Sequence, residues 1–551
     1  MKGIMKRTTL LIALMTVALF LPGYAEQDNI YFSINKNIDI FGRVYKEIVT
    51  NYVDEVDPDK FMRSGIDGML ETLDPYTVYL GGDDEDEIDL LTHGQYGGVG
   101  ITIGVRDGAI TVLSAMEGYS AHRQGVRTGD KIIEIDGIKI TGMNPDSVRL
   151  RVRGEPGTVI KMKVEREGEK NPIEFVLVRE EIQVNNVGYA GYVIEGIGYI
   201  KLERFSRRAG EEVRQAIREL QAKGTLKGII FDLRDNPGGL LDAAVDVCSK
   251  FLPRGSTIVS TKGRKGSEEN IYTVEEEPIA PDLPLAVLIN RNSASASEIV
   301  AGAVQDVDRG IIVGTRSFGK GLVQTLVPLS YNTSMKITTA RYYTPSGRCI
   351  QEIDYLHKNK DGVFATTPDS LKREFKTKNG RTVKELGGIT PDTIIENGAH
   401  SGFFSELIRK AMFFKFATSY VAQHPSFDGE FTVDDDVLKQ FEQYVTAQQF
   451  EYAEPAEKQL TELKEIMKKE RYSSTALASV DGLLLQLQQE KINAFVRYRE
   501  EIRNELTDEL NGRYSGEKGR IRASLRHDQQ VQLAASLLTN KKVYEHLLKP
   551  R

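Results

Sequence analysis

Four short apolar runs separated by helical segments constrain this chain more than any other feature. They are GYIKL (198–202), KGIIFDL (227–233), LAVLIN (285–290) and GIIVG (310–314). Between them lie AGEEVRQAIRELQAKG, LLDAAVDVCSKFL and SEIVAGAVQDV, each with apolar residues at helical spacing. Strand-like runs alternating with helices predict an α/β domain over 182–397.

The segment 290–324 places small hydroxyl residues where such a domain exposes them. Ser293, Ser295 and Ser297 follow the run LAVLIN and open a helix-like segment. A strand-to-helix turn presents one side chain, and the N–H groups at the helix start can face a developing oxyanion. A serine needs a base. The seven histidines, at 93, 122, 357, 400, 424, 527 and 546, leave none between 122 and 357, whereas Lys320 lies within the segment between Gly319 and Gly321. An ordinary lysine titrates near ~10.4, so burial has to lower the pKa of a lysine base, with Phe318, Leu322 and Val323 as the apolar residues at hand. Two other readings compete. GTRSFGKG comes close to a phosphate-binding loop, but Gly321 stands where a hydroxyl is required and a strand-like run follows. The serine run by itself also fits a helix cap.

NSASASEIVAGAVQD followed by VGTRSFGKGLVQ resembles the carboxyl-terminal processing (tail-specific) protease family, and FDLRDNPGGLL, YYTPSGRCIQ and GGITPD agree with it. The resemblance spans roughly Tyr45 to Asp392. It implies Ser295 as nucleophile and Lys320, 25 positions on, as base. It implies Gln324 as the residue that orients the lysine, and an oxyanion hole from the amide of Gly238 or Gly239 with that of Ala296.

From Gly94 to about Glu181 the pattern changes to short strands, with Asp107-Gly108 and Asp136-Gly137 as hairpin turns and a helix capped by Asn144 with Pro145 at its first position. This stretch resembles a PDZ domain, a module that adds a peptide strand to its sheet and holds a terminal carboxylate on backbone N–H groups. The resemblance implies a peptide site of Gly97, Gly98, Val99, Gly100, Ile101, Ile103, Val148 and Val152. Arg149 and Arg153 on one helix face suggest a coupling of peptide occupancy to the core, with Arg153 the candidate.

Residues 1–25 combine Lys2, Lys6 and Arg7 with the apolar run TLLIALMTVALFL and Gly23-Tyr24-Ala25, the pattern of an export signal. Residues 36–80 read as helical, with Ile40, Val44, Ile48 and Tyr52 and later Ile66, Met69, Leu70 and Leu73 at helical spacing and Pro75 as terminator; GGDDEDEID after it reads as a solvated linker. The last 150 residues, rich in Gln, Glu, Lys and Leu, read as a helical extension.

The expected class is therefore multidomain α+β. It comprises a signal peptide (1–25), a helical N-terminal region (26–85), a β-rich PDZ domain (86–181), an α/β, crotonase-like protease core (182–397) and a helical C-terminal extension (398–551). A net charge of −7 gives no broad basic surface for nucleic acid, and Cys248 and Cys349 cannot build a disulfide framework or a metal cluster. Neither cofactor nor metal is expected. The function this implies is an exported serine endopeptidase of the periplasm or cell envelope, soluble or membrane-associated. Its partners would be substrates with free C-termini, an activating or adaptor protein, and further copies of itself through the helical terminal regions. The rival readings are a PDZ binding module or chaperone with an inactive protease-like domain, and a crotonase-like hydratase or hydrolase.

Overall fold

The computed structural model describes residues 30–81, 94–264, 268–358, 364–396, 401–452 and 454–550. The export signal and most of the acidic run after Leu80 lie outside them. Two compact units emerge. One holds the described residues up to Tyr79 with Leu326–Ile337; the other holds Leu80–Thr325 and the chain from Thr338 onward.

In the first unit, helix α1 (30–51) is followed by α2 (Pro58–Leu70). The region expected to be helical over 36–80 thus holds two helices with a break at 52–57. Asp57 caps α2 by accepting the N–H of Asp59 and Lys60 at 3.1 and 3.2 Å, and Pro58 at the first helical position has no N–H to continue a helix from α1. Tyr45 stacks on Phe61 at 6.0 Å, closing the two helices on each other. Ile34, Ile38, Ile40 and Val44 stay exposed on α1.

In the second unit, strands β1 (Ile101–Arg106), β2 (Ala109–Ala115), β3 (Lys131–Ile135), β4 (Val159–Glu165) and β5 (Ile173–Val178) form an antiparallel sheet in that order, with β1 at its edge. Positive φ at Asp107, Gly108, Asp136 and Gly137 makes the two hairpin turns that Asp-Gly pairs favour. Helix α3 (Pro145–Val152) is capped by the Asn144 side chain and lies against β1.

The larger sheet orders β6 (Val187–Ile194), β7 (Ile197–Leu202), β8 (Gly228–Asp232), β9 (Leu285–Ile289), β10 (Ile311–Gly314) and β11 (Thr393–Ile394), with β6–β7 antiparallel and the rest parallel. Central parallel strands are buried on both faces. On one face Ile229, Phe231, Val287 and Ile312 pack against helices α4 (Ala209–Lys223), α5 (Leu241–Ser249) and α6 (Ala296–Asp306). On the other, Ile230, Ala286, Leu288 and Val313 pack against Val531, Ala534 and Leu538 of helix α7 (Gln529–Thr539), with Ile521 and Leu525 before it. The helical extension therefore completes the core sheet. Burying each such aliphatic side chain contributes about 1.5–3 kcal/mol. A second, aromatic-rich cluster around Phe403, Phe413, Phe441, Leu506 and Leu510 holds the rest of the extension together. Cys248 and Cys349 are both free and buried, and burial raises the pKa of each thiol.

Candidate active site

Strand β9 runs into a turn from which only one of the three serines points outward. Ser293 is buried: its hydroxyl donates to Leu233 O at 2.8 Å and accepts the N–H of Asn290 at 2.9 Å. Ser297 is buried too, donating to Asn236 O at 2.9 Å. Ser295, half-buried between them, has φ 55° and ψ −113°, a conformation that costs a non-glycine residue roughly 1–3 kcal/mol. The buried hydroxyls of Ser293 and Ser297 fasten this strained turn on either side of Ser295, the residue that opens helix α6.

The turn after β8 approaches the same place. Asn236 anchors it, donating to Leu202 O at 2.8 Å and accepting the N–H of Gly238 at 2.9 Å. Gly238 has φ 102°, and a Cβ there would lie 2.7 Å from Ala294 O, 2.9 Å from Ala296 N and 3.0 Å from Ser295 Cβ. Only glycine lets these two turns meet. The N–H of Gly238 is spent inside its own turn, so its part is steric. Gly239 and Ala296 have N–H groups with no hydrogen bond among the described residues, and they are the pair free to face an oxyanion.

Glu298, on the first turn of α6 and fully buried, ties Ser295 to the lysine loop. One carboxylate oxygen accepts the N–H of Ser295 at 2.8 Å and of Lys320 at 2.9 Å; the other accepts Ser317 Oγ at 2.5 Å and Gly319 N at 2.7 Å. Burial raises its pKa to about 7 against the pull of those four donors. Tyr342, buried, donates to Ser295 O at 3.1 Å and to Lys320 O. Gly319 has φ 88° and a Cβ there would meet Glu352 Cβ at 2.7 Å; Glu352 N–H donates to Gly319 O at 2.9 Å. Gly321 N–H in turn donates to Gln351 Oε1 at 2.7 Å. The segment YYTPSGRCIQ thus cradles the lysine loop, and it is itself fixed by a buried ion pair, Arg348 to Asp306 at 2.8 Å.

Phe318, expected to help form an apolar shell around Lys320, is 40% exposed, whereas Leu322 is buried and Lys320 is half-buried. The Gln324 amide donates to Thr338 Oγ1 at 3.2 Å. His122 and His357 are exposed; His357 pairs with Asp354 at 2.7 Å and His122 accepts the N–H of Gly118 at 3.4 Å.

A groove of about 260 Å³ lies between β1 and α3, lined by Val99, Gly100, Ile101, Ile103 and Val152 from the expected peptide set. Gly97 and Gly98 are absent from it. They pair with Glu181 and Glu180 in a two-stranded ribbon, and a Cβ on Gly97 would sit 2.1 Å from Gly154 O, so close backbone packing is their role. Val148 is fully buried in the small core, one helical turn behind the groove face. Arg153 lies over the Tyr96 ring at 4.7 Å. Among the described residues no group of three His, Cys, Asp or Glu could hold a metal ion.

Comparison with known families matches residues 196–357 to peptidase family S41, 87–165 to the PDZ domain, 23–84 to the activating protease CtpB N-terminal domain and 403–538 to a probable PDZ-protease C-terminal helical domain. Among curated relatives, the carboxy-terminal-processing protease of Bartonella bacilliformis is 41% identical over 58% of this chain and 73% of its own. The carboxy-terminal processing protease CtpB of Bacillus subtilis is 31% identical over 71% of this chain and 82% of its own. The chain belongs to the carboxy-terminal-processing protease family. A solved photosystem II D1 C-terminal processing protease is similar too, at 28% identity over 65% of this chain and 92% of that one, with a TM-score of 0.36.

As a member of that family the chain is a peptidase that carries a PDZ domain. Within the protease site, sequence reasoning missed Glu298, Asn236 and Tyr342. A signal existed for one of them: Ser295-x-x-Glu298 is the spacing of a capping box, in which the acidic side chain returns to the N–H of the residue that opens the helix.

Proposed function

We propose that this protein is an exported serine endopeptidase that captures the C-terminal tails of protein substrates in its PDZ groove and cleaves them with Ser295 and Lys320. Ser295 Oγ attacks the scissile carbonyl while its proton passes to the Lys320 amine. The carbonyl oxygen, now an anion, is held by the N–H groups of Gly239 and Ala296. The C–N bond then breaks, Lys320 returns the proton to the leaving amine, and a water deprotonated by the same lysine releases the acyl group from Ser295. Gln324 positions the lysine from the strand that follows it.

The observation that carries this reading is the Glu298 carboxylate, one oxygen of which holds the backbone of both Ser295 and Lys320. A carboxylate bridging two distant loops at 2.8 and 2.9 Å makes a shared register for nucleophile and base. Export to the periplasm or cell envelope, self-association through the helical terminal regions, and control by an activating or adaptor protein belong to the same proposal. No helix among the described residues is long and apolar enough to cross a membrane.

The test is to incubate the purified chain with a protein bearing an unstructured tail and to map the products by mass. Internal cleavage that is lost in Ser295→Ala is expected; tail binding without cleavage would favour the binding-module reading.

A further inference from the structure

The peptide groove carries more positive charge than one terminal carboxylate requires. Its floor is apolar, formed by Val99, Ile101, Ile103, Met116 and Val152. Its walls hold three arginines, and no Asp or Glu lines it. Arg149 lies on α3 and Arg153 is the extended residue just past its end, so the two do not share the helix face expected of them, while Arg204 arrives from the protease core, two residues beyond β7. This in a chain with 79 acidic against 72 basic residues makes the groove a local exception to the molecule's charge.

The three guanidinium groups are not equally engaged. Arg153 is held over Tyr96, and Arg149 pairs with Asp146 at 3.0 Å, a pair whose members are each more than half exposed and which solvent screens. Arg204 is half-buried, and its Nε is shielded from water with no acceptor among the described residues. A buried donor left without an acceptor is costly. Arg204 as a whole lines the groove, so a carboxylate brought there meets its guanidinium.

We infer that this groove selects tails in which acidic side chains precede an apolar C-terminal residue, with Arg149 and Arg204 as the specificity-determining residues. This rests on the reading above, that the groove takes free C-termini. The apolar floor receives the last side chain, the turn at Gly100 faces the terminal carboxylate, and a strand added along β1 turns alternate upstream side chains toward α3 and Arg204. Guanidinium and carboxylate meet there with paired N–H donors, the geometry in which arginine outperforms lysine.

The experiment uses the full chain carrying Ser295→Ala and measures Kd by fluorescence anisotropy for tail peptides ending in the same apolar residue. The residues before it are Glu, Gln or Lys, and each peptide is made as free acid and as amide. The expected result is a Glu-to-Gln affinity ratio of about ten or more, falling as salt is raised from about 0.05 to 0.5 M. In Arg204→Gln and Arg149→Gln that ratio moves toward one, and Arg204→Lys keeps part of it; a ratio survives any general weakening of the variants. Equal affinity for Glu and Gln peptides, or an unchanged ratio in Arg204→Gln, overturns the proposal. If the free acid still outbinds the amide in that case, the groove reading stands and only the acidic preference falls. If no peptide binds, both fall.

Discussion

Glu298 and Ser295 are joined at 2.8 Å, carboxylate to backbone N–H, and the same oxygen holds the N–H of Lys320 at 2.9 Å. Every group that Glu298 contacts here is a donor, which only an ionised carboxylate can satisfy in full. Replacing it with Gln turns an NH2 toward N–H groups. Glu298→Gln is therefore expected to lower kcat by about 10²-fold or more while tail binding stays within about threefold, as measured by steady-state kinetics and anisotropy on one peptide.

The same carboxyl predicts opposite pH trends for activity and for this group's part in stability. Its pKa in the fold is about 7, above the ordinary 4.5, so the folded state binds the proton more tightly than the unfolded one. Its contribution to stability is then greatest below about 4.5 and declines as pH rises through 7, a change of the order of 3 kcal/mol. Activity is expected to need the ionised clamp and so to rise over that interval, as a pH profile of kcat would measure. Wild-type and Glu298→Gln melting curves between about pH 5 and 8 should diverge in slope, with the wild type losing more as pH rises.

Gly238→Ala tests the meeting of the two turns. Its methyl group would fall 2.7 Å from Ala294 O and 2.9 Å from Ala296 N, within the space an oxyanion would use. Loss of about 10²-fold or more in kcat is expected, with the circular dichroism of the native fold retained. Near wild-type turnover would remove this turn from the chemistry.

Much of this architecture is legible in the residues, and the misses share a cause. Asn144-Pro145, the Asp-Gly pairs and the alternation of runs are local signals, and local geometry follows them. The strand–serine–helix order shows that one serine is presented at the turn, but not the positive φ with which Ser295 does it. Gly97 and Gly98, by contrast, look like any glycine-rich carboxylate loop until their ribbon partners Glu181 and Glu180, some 80 residues on, are brought beside them. Val148 and Val152 share a spacing that suits core and groove alike; both belong to the small core, and Val152 also lines the groove. Glu298 cannot be told from an ordinary helix-start acid in the sequence, because its other partners, Ser317 to Lys320, lie about 20 residues away.

The role of the extension was the least readable, because it depends on what covers the far face of a sheet. Asp528 caps α7 and pairs with Arg234 at 2.8 Å, and Arg234 also grips the fully buried Asp232 at the end of β8, just ahead of the Gly238 turn. Asp528→Ala removes both cap and counter-charge. A loss of about 2 kcal/mol or more in urea unfolding is expected, accompanied by lower kcat.

Lys320 as the base for Ser295 is tested by kcat/KM of Lys320→Arg beside Ser295→Ala on one free-acid tail peptide, with thermal melts as the fold control. Guanidinium keeps the charge and cannot accept the serine proton. Both variants should lose about 10³-fold or more while melting like the wild type. A Lys320→Arg protein that keeps its fold and cleaves within about threefold of wild type would contradict the account.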